Sequence, residues 1–170
     1  MKIVTYPNVI LRNVMPQFDF SSPCADPNEL EKLLVDTMLA NDGIGLAANQ
    51  LGISTRVFAM GYRGNTAAAQ AFFNPMVVNV VNRVEELEEG CLSFPNVYVK
   101  IKRPAKILAR WQNCQGEWNE SEFEGYNCKC FLHELDHLEG IVFQDRVSIL
   151  KWTLAIKKAK KGYKHNARTR

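Results

Sequence analysis

Two histidines and two acids fall within five residues, His133-Glu134-Leu135-Asp136-His137. On a helix, positions i and i+4 project from one face, so the two imidazoles can bind one metal ion. Glu134 follows the first of them and can act as a base toward a water that the metal activates. By average residue usage an H-E-x-x-H match in a chain of this length arises on the order of once in a few hundred sequences, so chance explains it poorly. The chain has three histidines, and two of them stand here.

A catalytic metal site also needs a third protein ligand and an open position. Downstream of His137 the chain offers Glu139, two residues on and therefore on another helix face, and His165, inside a basic tail. Neither suits the task. Upstream, Cys91 lies in Glu88-Glu89-Gly90-Cys91-Leu92-Ser93. Gly90 permits unusual backbone angles, and a thiol beside a dication is deprotonated, so Cys91 can close a site with the two histidines. Cys128 and Cys130 form a rival C-x-C pair on the segment that carries His133. Cys128 and His133 are five apart and diverge on a helix, while Cys130, three before His133, can line a pocket instead. Cys24 and Cys114 read as small buried apolar residues. A third unusual stretch is Gly43-Ile44-Gly45-Leu46-Ala47-Ala48-Asn49-Gln50. Its glycines and alanines leave backbone uncovered for close approach by another backbone, and Gln50 offers an amide donor. The same stretch also reads as a tight helix-to-strand turn.

These groups need elements to position them. The first helix is expected over about 27–41, with Asp26 as N-cap, Pro27 at its first position and Glu29 in an acidic capping box. Leu30, Leu33, Leu34, Met38 and Leu39 form its apolar stripe, and Gly43 and Gly45 end it. The middle reads as short strands at 56–60, 72–81, 82–87, 97–101, 106–111 and 117–123, with a hairpin turn from Asn113 to Gly116 and edges or bulges at Pro75 and Pro104. A second helix over about 124–138 carries the histidines. A strand-like segment follows at 141–143. A third helix is expected over about 147–161, its apolar face formed by Val147, Leu150, Leu154 and Ala155. Helix, strands, then helices argues an α+β fold.

The composition fits one globular domain: 170 residues, 46% hydrophobic and 23% charged. No apolar run approaches the ~20 residues of a membrane span, and Pro7, Asn8 and Arg12 interrupt any signal-peptide core. Five cysteines without a disulfide-framework spacing point to a reducing compartment. Residues 151–170 hold eight Lys and Arg and no acid, which leaves 13 basic against 18 acidic residues in 1–150. An acidic body thus bears a basic tail, either a solvated face or an electrostatic handle for RNA. An H-E-x-x-H endopeptidase and a non-enzymatic, metal-stabilised RNA-binding module both draw on these features. The first lacks a downstream ligand, and the second has no use for Glu134.

Taken together, the three segments resemble peptide deformylase. The family pattern is a G-x-G-x-A-A-x-Q loop, an E-G-C-[LI]-S turn and an H-E-x-D-H helix, here Gly43 to Gln50, Glu89 to Ser93 and His133 to His137. They stand in the family's order and separations, and the likeness runs from Leu11-Arg12 to about residue 145. Leu132 departs from the Gln usual before the first His, and Asn127 and Lys129 are more polar than is usual for that helix.

The resemblance implies antiparallel β-sheets packed around a central H-E-x-D-H helix, with a deformylase domain over 1–150 and a basic C-terminal helix or tail over 151–170. It implies removal of the formyl group from the N-terminal formylmethionine of nascent chains. Cys91, His133 and His137 would hold one divalent ion, Fe2+ first, with Zn2+, Ni2+ and Co2+ as alternatives. Glu134 would be the general base, and the Gln50 side chain and Leu92 N–H would steady the oxyanion. Backbone at Gly45 would take the peptide as an added strand. Ile44, Tyr126, Lys129 and Cys130 would line a methionine pocket. Arg103 is expected to pair with Glu89 and hold the cysteine turn, and Asp136 to orient a ligand imidazole. The partners expected are the N-formylmethionyl nascent peptide and the ribosome through the basic tail, for a monomer in the cytoplasm of a bacterium or of a phage's bacterial host.

Overall fold

Strands rich in β-branched and aromatic residues fill the middle of the chain. In the computed structural model they pair antiparallel throughout. The structure describes residues 1–62 and 65–166. Arg168 and Arg170 of the tail lie outside the described residues, as do the side chains of Lys161, Lys164 and His165. The elements are α1 (Pro27–Ala40), β1 (Gly45–Ala47), β2 (Val57–Tyr62), β3 (Asn65–Val80), β4 (Val84–Cys91), β5 (Phe94–Pro104), β6 (Lys106–Gln112), β7 (Trp118–Glu124), α2 (Gly125–Leu138) and α3 (Ile149–Asn166). Short 3-10 turns occupy Val9–Arg12, Ala48–Leu51 and Phe143–Arg146.

Five strands form one sheet in the order β1-β2-β3-β6-β7, and β4 and β5 form a separate ribbon. Val57 pairs with Phe73, Val77 with Ala109, and Ala109 with Ser121. The ladder slips between Phe73 and Met76, around Pro75, which has no N–H to donate. Pro104 closes β5, opposite Val84.

β2 and β3 read as nearly continuous apolar runs because a helix covers each face of the sheet. Phe58, Met60 and Phe72 point to α2 and meet Phe131, while Val57, Ala59, Ala71 and Phe73 point to α1 and meet Leu30, Leu34 and Met38. Phe131 is fully buried, edge-on to Phe58 and Phe72 at centroid distances of 5.1 and 5.7 Å. Burial of one such ring contributes about 1.5–3 kcal/mol. The third core cluster joins β5 to α3 through Phe94, Val97, Phe143, Trp152 and Ala155.

α1 starts as expected: the Asp26 carboxylate accepts from the N–H groups of Asn28 and Glu29 at 2.9 and 3.0 Å. Four expectations change. Residues 141–143 are not a strand; the chain there enters the 3-10 turn at Phe143. The glycine stretch holds the short strand β1 and a 3-10 turn rather than a bare loop. Cys24 is exposed and Cys114 half-buried, so neither is a core residue. The buried face of α3 is Trp152, Ala155, Ile156 and Ala159, which leaves Leu150 and Leu154 71% and 58% exposed. The helix turns on its tryptophan, the larger apolar surface, rather than on its leucines.

Candidate metal centre

α2 lies across the five-stranded sheet, with Phe131 inward and the two histidines on the side that meets β4. His133 and His137 are one turn apart, with ring centroids 5.1 Å apart. Cys91 is the last residue of β4, where the ladder slips after Gly90 and turns the thiol toward α2. A Cβ on Gly90 would stand 2.7 Å from the Tyr98 ring, so a larger residue at this turn would require that ring to move. The ligand atoms of Cys91, His133 and His137 all lie within 4.8 Å of one another, and Cys91 Sγ is 3.2 Å from His137 Nε2. A thiolate and two imidazoles suit a divalent transition metal. Donors of a tetrahedral site with bonds of ~2.0–2.3 Å stand roughly 3.5 Å apart, so these side chains are spaced to share one ion.

The site opens onto a cavity of about 590 Å³ lined by Ile44, Gly45, Gln50, Leu92, Tyr126 and Cys130, among others. The ligand side of this cavity includes Cys91, His133 and Glu134. Glu134 is buried, and its Oε2 has no hydrogen-bond partner among the described residues. Burial pushes its carboxyl up to about 7, against the lowering pull of the His133 and Arg103 charges. A carboxyl poised near neutrality can both take and return a proton. It packs directly on Gly45: a Cβ there would collide with Glu134 Oε1 and stand 2.8 Å from Cys130 Sγ. Burial lowers His137 well below the usual imidazole value. Burial also opposes charge on His133, but hydrogen bonds to Cys91 and Glu89 outweigh it and raise the imidazole.

β1 is an edge strand. Gly61 N–H donates to Ile44 O at 2.9 Å, which makes those two residues a bonded pair. Gly45, opposite Met60, then falls in the alternate position, and its N–H and C=O face the free edge. Gln50 follows on the 3-10 turn. Its Oε1 accepts from Ala47 N at 2.8 Å, and its Nε2 donates to Ser93 Oγ at 3.0 Å beside Cys91 Sγ at 3.6 Å.

Behind His133, a chain of charges fixes the ring. His133 Nδ1 meets Glu89 Oε2 at 2.9 Å. Arg103 holds both oxygens of Glu89, at 2.6 and 3.0 Å, and reaches Asp136 at 2.8 Å. Asp136 is also held by Arg146, in part through Nε at 2.9 Å. Burial works against the Glu89 charge, yet His133 and Arg103 hold its carboxyl down at about 2. The expected Glu89–Arg103 pair is therefore present. The expectation for Asp136 is corrected: it faces two arginines, and the carboxylate on the ligand imidazole is that of Glu89.

The rival thiols separate. Cys128 donates to Pro104 O at 3.2 Å and Cys130 to Ile44 O at 3.3 Å. Burial raises both, Cys128 to about 11, so neither is a ready thiolate. Glu139 turns away to Arg56 at 2.6 Å. Lys129 lines the cavity but donates to Glu85 O at 2.9 Å. Three residues that hold the site were not singled out from the sequence. Ser93 holds Gln50 and donates onward to Val4 O at 2.8 Å. Asn49 donates to His137 O at 2.7 Å. Arg146 caps the charge chain. Ser93 and Asn49 lie inside the motifs quoted above, whereas nothing in the residue pattern marks Arg146.

The polypeptide deformylase family model matches residues 1–152. The peptide deformylase of Thermotoga maritima is 43% identical over 125 residues, 74% of each chain. A peptide deformylase structure from Legionella pneumophila superposes with a TM-score of 0.86 at 32% identity, over 98% of this chain and 97% of that one. A Met-Ala-Ser-bound peptide deformylase from Acinetobacter baumannii gives 0.79 at 26% identity, over 86% and 98%.

Proposed function

The chain belongs to the peptide deformylase family, and on that premise we propose how its own residues divide the work. The activity is metal-dependent hydrolysis of the N-formyl amide on the N-terminal methionine of nascent chains, with release of formate. Cys91, His133 and His137 would hold one divalent ion. When bound, that ion supplies Lewis acidity, polarising the formyl carbonyl and acidifying a water.

Glu134 removes the proton from the attacking water. Its carboxyl, held near neutrality, keeps that proton until the carbon–nitrogen bond breaks and then returns it to the leaving amine. Gln50 Nε2 and the Leu92 N–H steady the negative charge that grows on the formyl oxygen. The outward-facing N–H and C=O of Gly45 take the peptide as an additional antiparallel strand. Ile44, Tyr126 and Cys130 surround the methionine side chain. Glu89, Arg103 and Asp136 support His133 from behind.

A thiolate ligand donates more charge than an imidazole and tempers the ion's Lewis acidity, which admits metals other than zinc; the family resemblance puts Fe2+ first, with Zn2+, Ni2+ and Co2+ as alternatives. We assign catalysis to 1–150 and, to the basic side chains of 151–170, an electrostatic role against ribosomal RNA, for a monomer working in a bacterial or phage-infected cytoplasm. No helix among the described residues is long and apolar enough to cross a membrane.

The observation that supports this reading most is the meeting of Cys91, His133 and His137 with the Glu134 carboxylate pressed against Gly45. Met-Ala-Ser, the tripeptide bound by the Acinetobacter relative, suggests the probe. Metal-loaded protein should release formate from formyl-Met-Ala-Ser and leave Met-Ala-Ser intact. Cleavage of the Met–Ala bond without formate would replace this reading with an endopeptidase.

A further inference from the structure

The charge chain behind His133 does not stop at the carboxylate that touches the ring. It runs His133, Glu89, Arg103, Asp136, Arg146, and it ends on the 3-10 turn just ahead of α3. We infer that Arg146 is a positioning residue for the metal centre, acting through Asp136, Arg103 and Glu89 on the His133 ring. The inference rests on the reading of Cys91, His133 and His137 as metal ligands.

Charges in this buried place must balance. The side chains of Glu89, Arg103 and Asp136 are 7%, 5% and 9% exposed. Arg103 is the cation shared by two carboxylates. It grips Glu89 with Nε and Nη2, which leaves Nη1 for Asp136. Arg146 brings the second cation: its Nε and Nη2 take both oxygens of Asp136. With Arg146 in place, two carboxylates face two guanidiniums and Arg103 can stay bidentate on Glu89. Without it, Asp136 competes for Arg103 as its sole cation. A bidentate grip depends on planar geometry, so a shift of Arg103 toward Asp136 loosens Glu89. Glu89 Oε2 accepts from His133 Nδ1 and so fixes the tautomer that leaves Nε2 as the ligand atom. Arg146 never touches that ring, yet it sets the balance that holds it.

A neighbouring pair separates this role from simple bracing of the turn. Arg12 pairs with Asp145 on the same 3-10 turn, one residue before Arg146, while Asp136 is bonded by Arg103 and Arg146. Arg12→Met is expected to loosen the turn and to leave the hydrogen bonds of the charge chain in place.

The test measures Co2+ affinity by chelator competition, with the thiolate-to-metal absorption band as reporter, in the full-length protein. Arg146→Met should lower affinity about tenfold, the lower end for groups that support a ligand. Arg146→Lys should recover part of the loss, and Arg12→Met should bind like wild type even where its thermal midpoint falls as far. In a Glu89→Gln background, Arg146→Met should have no further effect, because the route through Glu89 is already cut. Wild-type affinity in Arg146→Met, an equal loss in Arg12→Met, or full additivity with Glu89→Gln would overturn the inference while leaving the ligand assignment standing. Absence of the thiolate band in wild type would instead remove the ligand assignment, and the inference with it.

Discussion

At the scale of single residues, the site is built on close approach. Gly45 leaves room for the Glu134 carboxylate that no other residue would leave. Gly45→Ala should therefore displace Glu134 and cut kcat about 100-fold, the loss expected from misplacing a reacting group by about 1 Å. Metal content should be unchanged, because no ligand is touched; formate release and metal analysis on the same sample check this. Cys130 borders the same cavity, beside Ile44 O. Cys130→Trp should fill it, weakening formyl-Met substrates more than formyl-Ala ones; equal loss on both would mean the side chain is held elsewhere. The histidine pair was legible in the sequence because helical spacing alone places His133 and His137 on one face. Their support was only partly legible. Glu89 and Asp136 are both acids in the motifs, and only the packing of α2 against the β4–β5 ribbon brings Glu89 to the ring while Asp136 turns to arginine.

At the scale of elements, α2 is positioned by the face opposite its histidines. Phe131 is held edge-on by Phe58 and Phe72, so Phe131→Ala should cost about 3–5 kcal/mol, read from urea midpoints. Cys128 sits where α2 meets the end of β5, donating to Pro104 O, and burial raises its thiol from 9.0 to about 11. A raised folded value means that its stabilising share is complete below pH 9 and is lost as pH climbs through 11. Cys128→Ala should flatten the alkaline fall of the urea midpoint between those limits. An unchanged slope would show that other groups set it. Element types were mostly legible, since β-branched runs and apolar periodicity are local signals. β1 was not: three residues are too few to show a period, and pairing with β2 alone makes them a strand. The phase of α3 was missed because leucine spacing suggested one face while Trp152, seated against Phe94 and Phe143, set another.

At the scale of the whole molecule, charge is divided between an acidic body and a basic end. The first turns of α3 belong to the fold: Trp152, Ala155 and Ile156 pack on β5, and Lys151 pairs with Glu86 at 2.6 Å. Removing 151–170 would strip that packing, so charge substitution is the cleaner probe. Lys157, Lys158 and Lys160 are exposed. Changing all three to Glu should weaken ribosome binding and flatten its salt dependence, while hydrolysis of formyl-Met-Ala-Ser stays at the wild-type rate. A salt-independent interaction would place the contact elsewhere. If Glu134 moves the proton at a metal centre held by Cys91, His133 and His137, a single comparison will reveal it. Wild type and Glu134→Ala, purified without oxygen and loaded with the same Fe2+ or Ni2+, are assayed for formate release from formyl-Met-Ala-Ser and analysed for bound metal. Metal content should be equal, and the variant should lose at least ~100-fold in rate. Equal metal with an undiminished rate would contradict this role of Glu134.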